Sequence, residues 1–217
     1  MSESARTFVP ALGRDALTPL YDTISWLIGE RALKRRLIEQ ARIAPGHAVL
    51  DLGCGTGTLA LLVKDACPTA QVVGLDIDPR ILAIARSKIA RAGADIRLVE
   101  GSATDPPLAS SSFDRILTSL VLHHLTTEQK RAALTAARRL LKPGGELHIA
   151  DWGKPQNALM RFASLSFRLA DGAETTGANV RGELSSLIAD AGFADVREVE
   201  HRMTPLGTLT YSSAVRP

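Results

Sequence analysis

The sequence predicts an α/β fold: a Rossmann-like, seven-stranded, mostly parallel sheet with helices on both faces, an antiparallel last strand pairing and a helical N-terminal cap. Three observations carry this. Short apolar runs alternate with amphipathic helical stretches from about residue 47 to 151. The first apolar run empties into a loop with glycine at every second position, Gly53, Gly55 and Gly57. The chain ends in two strand-like segments separated only by Met203–Leu206, which marks an antiparallel hairpin.

Taken in order, the first 19 residues carry the breakers Pro10, Gly13 and Pro19 and read as irregular. From Tyr21 to about Gln40 the pattern is helical. Trp26, Leu33, Leu37 and Ala41 share a face, and Arg31, Lys34, Arg35 and Arg36 between them read as a solvated face. His47–Leu52 is a strand, and Thr58–Cys67 a helix stopped by Pro68. Gln71–Leu75 is the second strand. Asp78 caps the next helix and Pro79 takes its first position; it runs to about Ala92 and ends at Gly93. Asp95–Val99 and Phe113–Ser119 are the third and fourth strands. Thr126 and Gln129 have capping-box spacing and open a helix through Leu141. Pro143-Gly144-Gly145 turns the chain into a fifth strand, Glu146–Ala150. Then come a helix over Gln156–Ala170, a polar loop over Asp171–Asn179, and a helix over Val180–Ala191 ending at Gly192. The hairpin strands are Asp195–Arg202 and Gly207–Val215.

Composition narrows the function classes. The 217 residues are 45% hydrophobic and 23% charged, with a net charge of +3. So small an excess does not by itself point to nucleic acid or an anionic membrane. No apolar stretch approaches the ~20 residues that span a bilayer, and the N-terminus shows no secretory h-region. Two cysteines, Cys54 and Cys67, cannot make a disulfide framework. A cytoplasmic, single-domain protein is expected.

The stretch Ala48-Val49-Leu50-Asp51-Leu52-Gly53-Cys54-Gly55-Thr56-Gly57 is the most informative. Glycines between a strand end and a helix start let the backbone turn tightly and let a ligand lie on bare peptide. Asp76 ends the next strand, where a carboxylate can take both hydroxyls of a ribose. The dinucleotide fingerprint wants glycine or alanine where this chain has Thr58. A carboxylate at Asp51 would also repel a pyrophosphate and favour a ligand bearing an ammonium group.

Asp51-x-Gly53-x-Gly55-x-Gly57, with Asp76 twenty-five residues after Asp51, resembles the class I S-adenosylmethionine-dependent methyltransferases. The likeness continues through Ser112-Phe113-Asp114-Arg115-Ile116 and Leu141-Lys142-Pro143-Gly144-Gly145-Glu146-Leu147, covering roughly half the chain. Tyr21-Asp22 and Asp151-Trp152-Gly153-Lys154-Pro155 resemble the branch holding the ubiquinone/menaquinone-biosynthesis enzymes and many small-molecule relatives. The resemblance implies one methyltransferase domain over residues 1–217: an N-terminal helical cap (1–45), a cofactor-binding core (46–151), and substrate-side helices with the terminal hairpin (152–217). It implies that Asp51 holds the methionine amino group and that Gly53, Cys54, Gly55, Thr56 and Gly57 line the methionine tail and ribose. Asp76 would take the ribose hydroxyls and Ile77 would pack on the adenine. Ser102-Ala103 stands where many relatives carry an aspartate for the adenine amino group, a departure that weakens that contact. Ser119-Leu120 would flank the sulfonium end. Tyr21 is either a lid over the cofactor or a core tyrosine.

His123 and His124 follow the fourth strand at the edge where the methyl group should point, as candidate general bases or as packing and cofactor-shaping residues. Asp151, Trp152 and Met160 are candidate substrate contacts. Leu159, Met160, Phe162, Leu165, Phe167 and Leu169 suit a hydrophobic acceptor or, better, ordinary core. His47, His148 and His201 read as structural. Cys54 has no partner at metal-ligand spacing, Cys67 lying about 15–20 Å away along the helix; no metal is expected. The function expected is S-adenosylmethionine-dependent methyl transfer to a small-molecule acceptor by in-line displacement, orientation supplying roughly 7–11 kcal/mol. Gln156–Asn179 and the N-terminal helix are the expected lids. Nucleic-acid or protein methylation and a non-catalytic cofactor-binding module are the alternatives. Ser119-Leu120-Val121-Leu122 stands where exocyclic-amine enzymes carry a Pro-Pro-aromatic motif, and only 4% of residues are aromatic, so nucleic acid is not expected. A monomer or homodimer is expected.

Overall fold

The computed structural model describes residues 29–165 and 172–217. Their elements run α1 (Glu30–Ala41), β1 (Ala48–Leu52), α2 (Thr58–Ala66), β2 (Gln71–Asp76), α3 (Pro79–Ala92), β3 (Ile96–Glu100) and β4 (Phe113–Ser119). A 3-10 turn at Leu122–His124, α4 (Thr127–Leu140), β5 (Leu141–Trp152), α5 (Ala158–Ala163), α6 (Ala173–Arg181), α7 (Leu184–Asp190), β6 (Ala194–Thr204) and β7 (Gly207–Val215) complete it. The strand order is β3-β2-β1-β4-β5-β7-β6. β1 to β5 pair in parallel, and β7 runs antiparallel to both β5 and β6.

β1 is buried on both faces, which explains why Ala48, Val49, Leu50 and Leu52 are apolar, with Asp51 its one polar residue. Val49 faces one apolar layer with Leu33, Leu37, Leu59, Val63 and Tyr211. Leu50 faces the other with Ile116, Leu134, Leu147 and Ile188. The caps form as the sequence predicts. Asp78 accepts from the Arg80 amide at 2.8 Å with Pro79 behind it, and Gly93 closes α3 at φ 60°. Thr126 and Gln129 make the reciprocal capping box of α4.

Four local expectations are corrected. The turn at Pro143-Gly144-Gly145 is absorbed into a twelve-residue β5 with a register shift, because the Gly144 amide donates to Arg216 O and the Arg216 amide to Gly145 O. The polar loop expected over Asp171–Asn179 is, from Ala173, helix α6; Thr176 and Asn179 are buried in it. The helix expected over Val180–Ala191 is broken by Gly182 at φ 77°, giving the end of α6 and then α7. The basic face of α1 is only partly solvated. Lys34 is buried and pairs with Glu30, while Arg36 pairs with Glu200 at 2.7 Å and lies over the Tyr211 ring. Tyr21, Trp26, Phe167 and Leu169 lie outside the described residues.

Candidate functional site

The parallel topology brings the C-terminal ends of β1, β2, β4 and β5 to one edge, where chain reversals expose backbone amides. Asp51, 2% exposed, ends β1 and turns under α2, its Oδ2 accepting from the Ala60 amide at 3.1 Å. A carboxylate so deep is costly to ionise. Burial, with Asp76 adding to it, pushes Asp51 up to about 7, against the pull of Lys34 and the Ala60 amide.

The glycine loop is pinned to β2. The Gly53 and Cys54 amides donate to Leu75 O at 2.8 and 2.9 Å, and the Gly55 amide donates to Asp76 Oδ2 at 2.8 Å. Asp76 Oδ1 accepts from the Asp78 amide at 3.0 Å, so one carboxylate organises two loops. Thr56 is held from α3 by Lys88, whose ammonium donates to Thr56 Oγ1 and Thr58 Oγ1 at 3.0 and 2.7 Å. Cys54 is buried behind the loop, and burial pushes its thiol up, so it is inert rather than nucleophilic.

Two glycines do different jobs. Gly53 sits at φ 76°, and a Cβ there would stand 2.5 Å from Val121 Cγ2, so the β4 exit loop needs its bareness. Gly55 sits at φ 53° with nothing within 4 Å, open space over bare peptide beside the Asp51 and Asp76 carboxylates. That arrangement fits a ligand with an ammonium group and a ribose. Gly53→Ala combines left-handed strain of about 1–2 kcal/mol with overpacking of about 1–3 kcal/mol. Gly55→Ala carries the strain alone. In thermal unfolding Gly53→Ala should therefore lose roughly twice as many degrees as Gly55→Ala; equal losses would contradict the packing assignment.

The reactive edge is built around Asp151, 1% exposed at the end of β5. Leu120 takes a left-handed φ of 56°, rare outside glycine, and reverses the chain after Ser119 so that amides face Asp151. Oδ2 accepts from the Val121 and Leu122 amides at 3.1 and 2.7 Å. Oδ1 accepts from the Trp152 amide and from His123 Nδ1, both at 2.7 Å. Burial alone would raise the Asp151 carboxyl, but His123 and the amide donors outweigh it and hold it below the usual carboxylate range. His123 is buried and His124 partly exposed, their ring centroids 4.0 Å apart. Trp152 packs edge-on to His123, and its carbonyl accepts from Asn179 Nδ2 of α6 at 2.8 Å.

The remaining candidates fall around this edge. Ile77 is exposed beside Asp76. Ser102 turns its hydroxyl onto Thr104 at 2.7 Å, with Ala103 packed against the apolar layer. Met160 is buried, but Leu159, Phe162 and Leu165 are exposed, against their expected place in the core; within α5 only Met160 turns inward. His47, His148 and His201 are engaged with Ala44, Gln40 and Glu146, and Thr210 respectively. A separate cavity of about 380 Å³ lies near the opposite ends of β5 and β7, its Glu146 paired with His148 and Arg115. Two contributors escaped the sequence reading: Lys34 beside Asp51, and Lys130 of α4, whose ammonium reaches Leu125 O and Thr175 O.

The comparisons with known proteins agree with this geometry. The methyltransferase-domain family matches residues 49–145. An uncharacterized methyltransferase of Synechocystis is 34% identical over 170 residues, spanning 78% of this chain and 77% of its own. The ubiquinone/menaquinone biosynthesis C-methyltransferase UbiE of Shewanella pealeana is 33% identical over 187 residues, 76% of this chain and 74% of its own. In fold, the chain is similar to phosphoethanolamine N-methyltransferase 2 of Haemonchus contortus, solved with S-adenosyl-L-methionine, at a TM-score of 0.73 and 19% identity over 97% of this chain and 61% of that one. A SAM-dependent methyltransferase from Aquifex aeolicus gives a TM-score of 0.65 at 18% identity over 85% and 89%. With the glycine loop, the paired carboxylates and the seven-stranded order all in place, the chain belongs to the class I S-adenosylmethionine-dependent methyltransferases, in the branch of the ubiquinone/menaquinone-biosynthesis enzymes.

Proposed function

We propose that the protein transfers the methyl group of S-adenosylmethionine to a ring carbon of a quinol-type small molecule, working as a cytoplasmic enzyme. The relatives named as ubiquinone/menaquinone and demethylmenaquinone methyltransferases support the acceptor class. The observation that carries the chemistry is the His123–Asp151 pair, which sets His124 at the same sheet edge as the glycine loop.

Asp51 would hold the cofactor's ammonium group, the bare peptides of the Gly53 to Gly57 loop would line its methionine tail, and Asp76 would take its ribose hydroxyls. Ile77 would cover the adenine, with Ser102 and Ala103 along its edge, and Ser119 and Leu120 would flank the sulfonium end. The cofactor supplies an electrophilic methyl group on a good leaving group, so the chain's task is orientation and exclusion of water. A quinol carbon attacks best when its neighbouring hydroxyl gives up a proton. His124 receives that proton as the ring carbon takes the methyl group; the same carbon then releases its own hydrogen as a proton and the hydroxyl is regained, while His123, buried and tied to Asp151, keeps the ring pair in place. Leu159 and Phe162, exposed beside the β5 exit, suit an apolar acceptor, as do Trp152 and Met160. The two free, buried cysteines suit a reducing compartment.

The test is turnover of reduced 2-prenyl-1,4-naphthoquinone with S-adenosylmethionine, followed by product mass. A gain of one methyl on the ring is expected, with kcat about 100-fold lower in His124→Ala. No product, in a protein that binds the cofactor, would overturn the acceptor; an unchanged kcat would remove His124 as the base.

A further inference from the structure

Lys130 is the fourth residue of α4 and 0% exposed. A helix N-terminus is the wrong end for a cation, and burial of an ammonium is costly without compensation. Its compensation is directional. Nζ donates to Leu125 O, directly after the 3-10 turn, and to Thr175 O in α6, each at 2.5 Å. Asp151 of β5 is its countercharge, while Arg181 of α6 opposes it; burial, the largest influence, pulls the ammonium down to about 8.

Asp151 and Lys130 thus grip the same turn from opposite sides. Asp151 takes its amides at Val121 and Leu122 and the His123 ring, and Lys130 takes the carbonyl at its exit. Lys130 then carries the grip across to α6, which is fastened a second time through Asn179 to Trp152 O. We propose that Lys130 is a positioning residue: its buried ammonium clasps the His123–His124 turn to helix α6 and thereby sets where His124 stands against the acceptor. This rests on the reading of His124 as the proton acceptor.

Methionine matches lysine in length and removes the charge, but it leaves the Leu125 and Thr175 carbonyls without their donor and Asp151 without its countercharge, so Lys130→Met should also lose stability. Lys130→Met should melt several degrees below wild type yet keep its affinity for S-adenosylhomocysteine within threefold, since the glycine loop lies on other elements. It should shift the imidazole NMR signals of His123 and His124, speed amide exchange in α6 by tenfold or more while sparing α2, and lower kcat about tenfold without raising KM for S-adenosylmethionine. Wild-type imidazole signals and α6 exchange in Lys130→Met would overturn the proposal. If Lys130→Met fails to fold, Lys130→Gln is read in its place; failure of both would make Lys130 a stability element and overturn it equally. Should the wild-type protein turn over no naphthoquinol, the acceptor reading falls, while imidazole signals and exchange still decide the clasp.

Discussion

Asp51→Asn is expected to make the protein more stable and the cofactor site worse. Asp51 takes its proton at about 7 in the folded protein against 3.8 in the unfolded chain. Below 3.8 both states are protonated and its stabilising share is complete. As pH rises the unfolded chain loses the proton first, so stability falls through that window and flattens above 7. The full swing is at most about 4 kcal/mol. Asparagine keeps an oxygen for the Ala60 amide and never ionises. At pH 8 the melting temperature should rise by about 5 °C or more, at roughly 2–4 °C per kcal/mol for a chain of this size. The ligand's ammonium loses its charged partner, and affinity for S-adenosylhomocysteine should fall about 10- to 100-fold, the worth of one charge-assisted hydrogen bond. Wild-type affinity should climb with pH up to about 7, whereas that of Asp51→Asn should lack this rise. Equal affinities at pH 6 and 8 in the wild type would contradict the role given to Asp51.

Asp151→Ala carries the largest expected loss of stability. It leaves the Val121, Leu122 and Trp152 amides and His123 Nδ1 without their acceptor, in a place water does not reach. Each orphaned group costs about 1–3 kcal/mol, so four approach the 5–15 kcal/mol that holds a domain together. A melting temperature lower by more than about 10 °C, or no folding, is expected. Asp151→Asn should fall between, because its amide nitrogen opposes one of the two donor pairs. Asp190→Ala removes an exposed pair with Arg131 and should change stability by less than about 1 kcal/mol. Since Asp151 is held below 3.8, its contribution is complete above that pH and fades as the solution is acidified past it. A near-wild-type melting temperature for Asp151→Ala would contradict the picture of Asp151 as the anchor of the reactive edge.

Local chemistry explains which parts of the fold were legible in the sequence. Asp78-Pro79, Gly93 and the Thr126–Gln129 box act within a few residues of themselves, and the structure places each cap as the sequence predicts. The burial of β1 between two layers shows in the run Ala48-Val49-Leu50, with Asp51 the one polar residue of the strand. α6 was hidden because Thr175-Thr176-Gly177 has poor intrinsic helix preference; partners distant in sequence, Lys130 at Thr175 O and Trp152 O at Asn179, hold it. The site divides likewise. Asp51, the glycines and Asp76 stand out by type and spacing. That four donors converge on Asp151, or that Lys34 sits against Asp51, depends on crossings between β4, β5 and α1 that no spacing records.

The most direct test of the central claim, that the Asp51 loop and Asp76 hold S-adenosylmethionine, is a calorimetric titration with S-adenosylhomocysteine at pH 8, run on the wild type and on Asp76→Ala. Micromolar binding by the wild type, lost in a folded Asp76→Ala, is the predicted result. No binding by the wild type, or binding that Asp76→Ala leaves untouched, would contradict it.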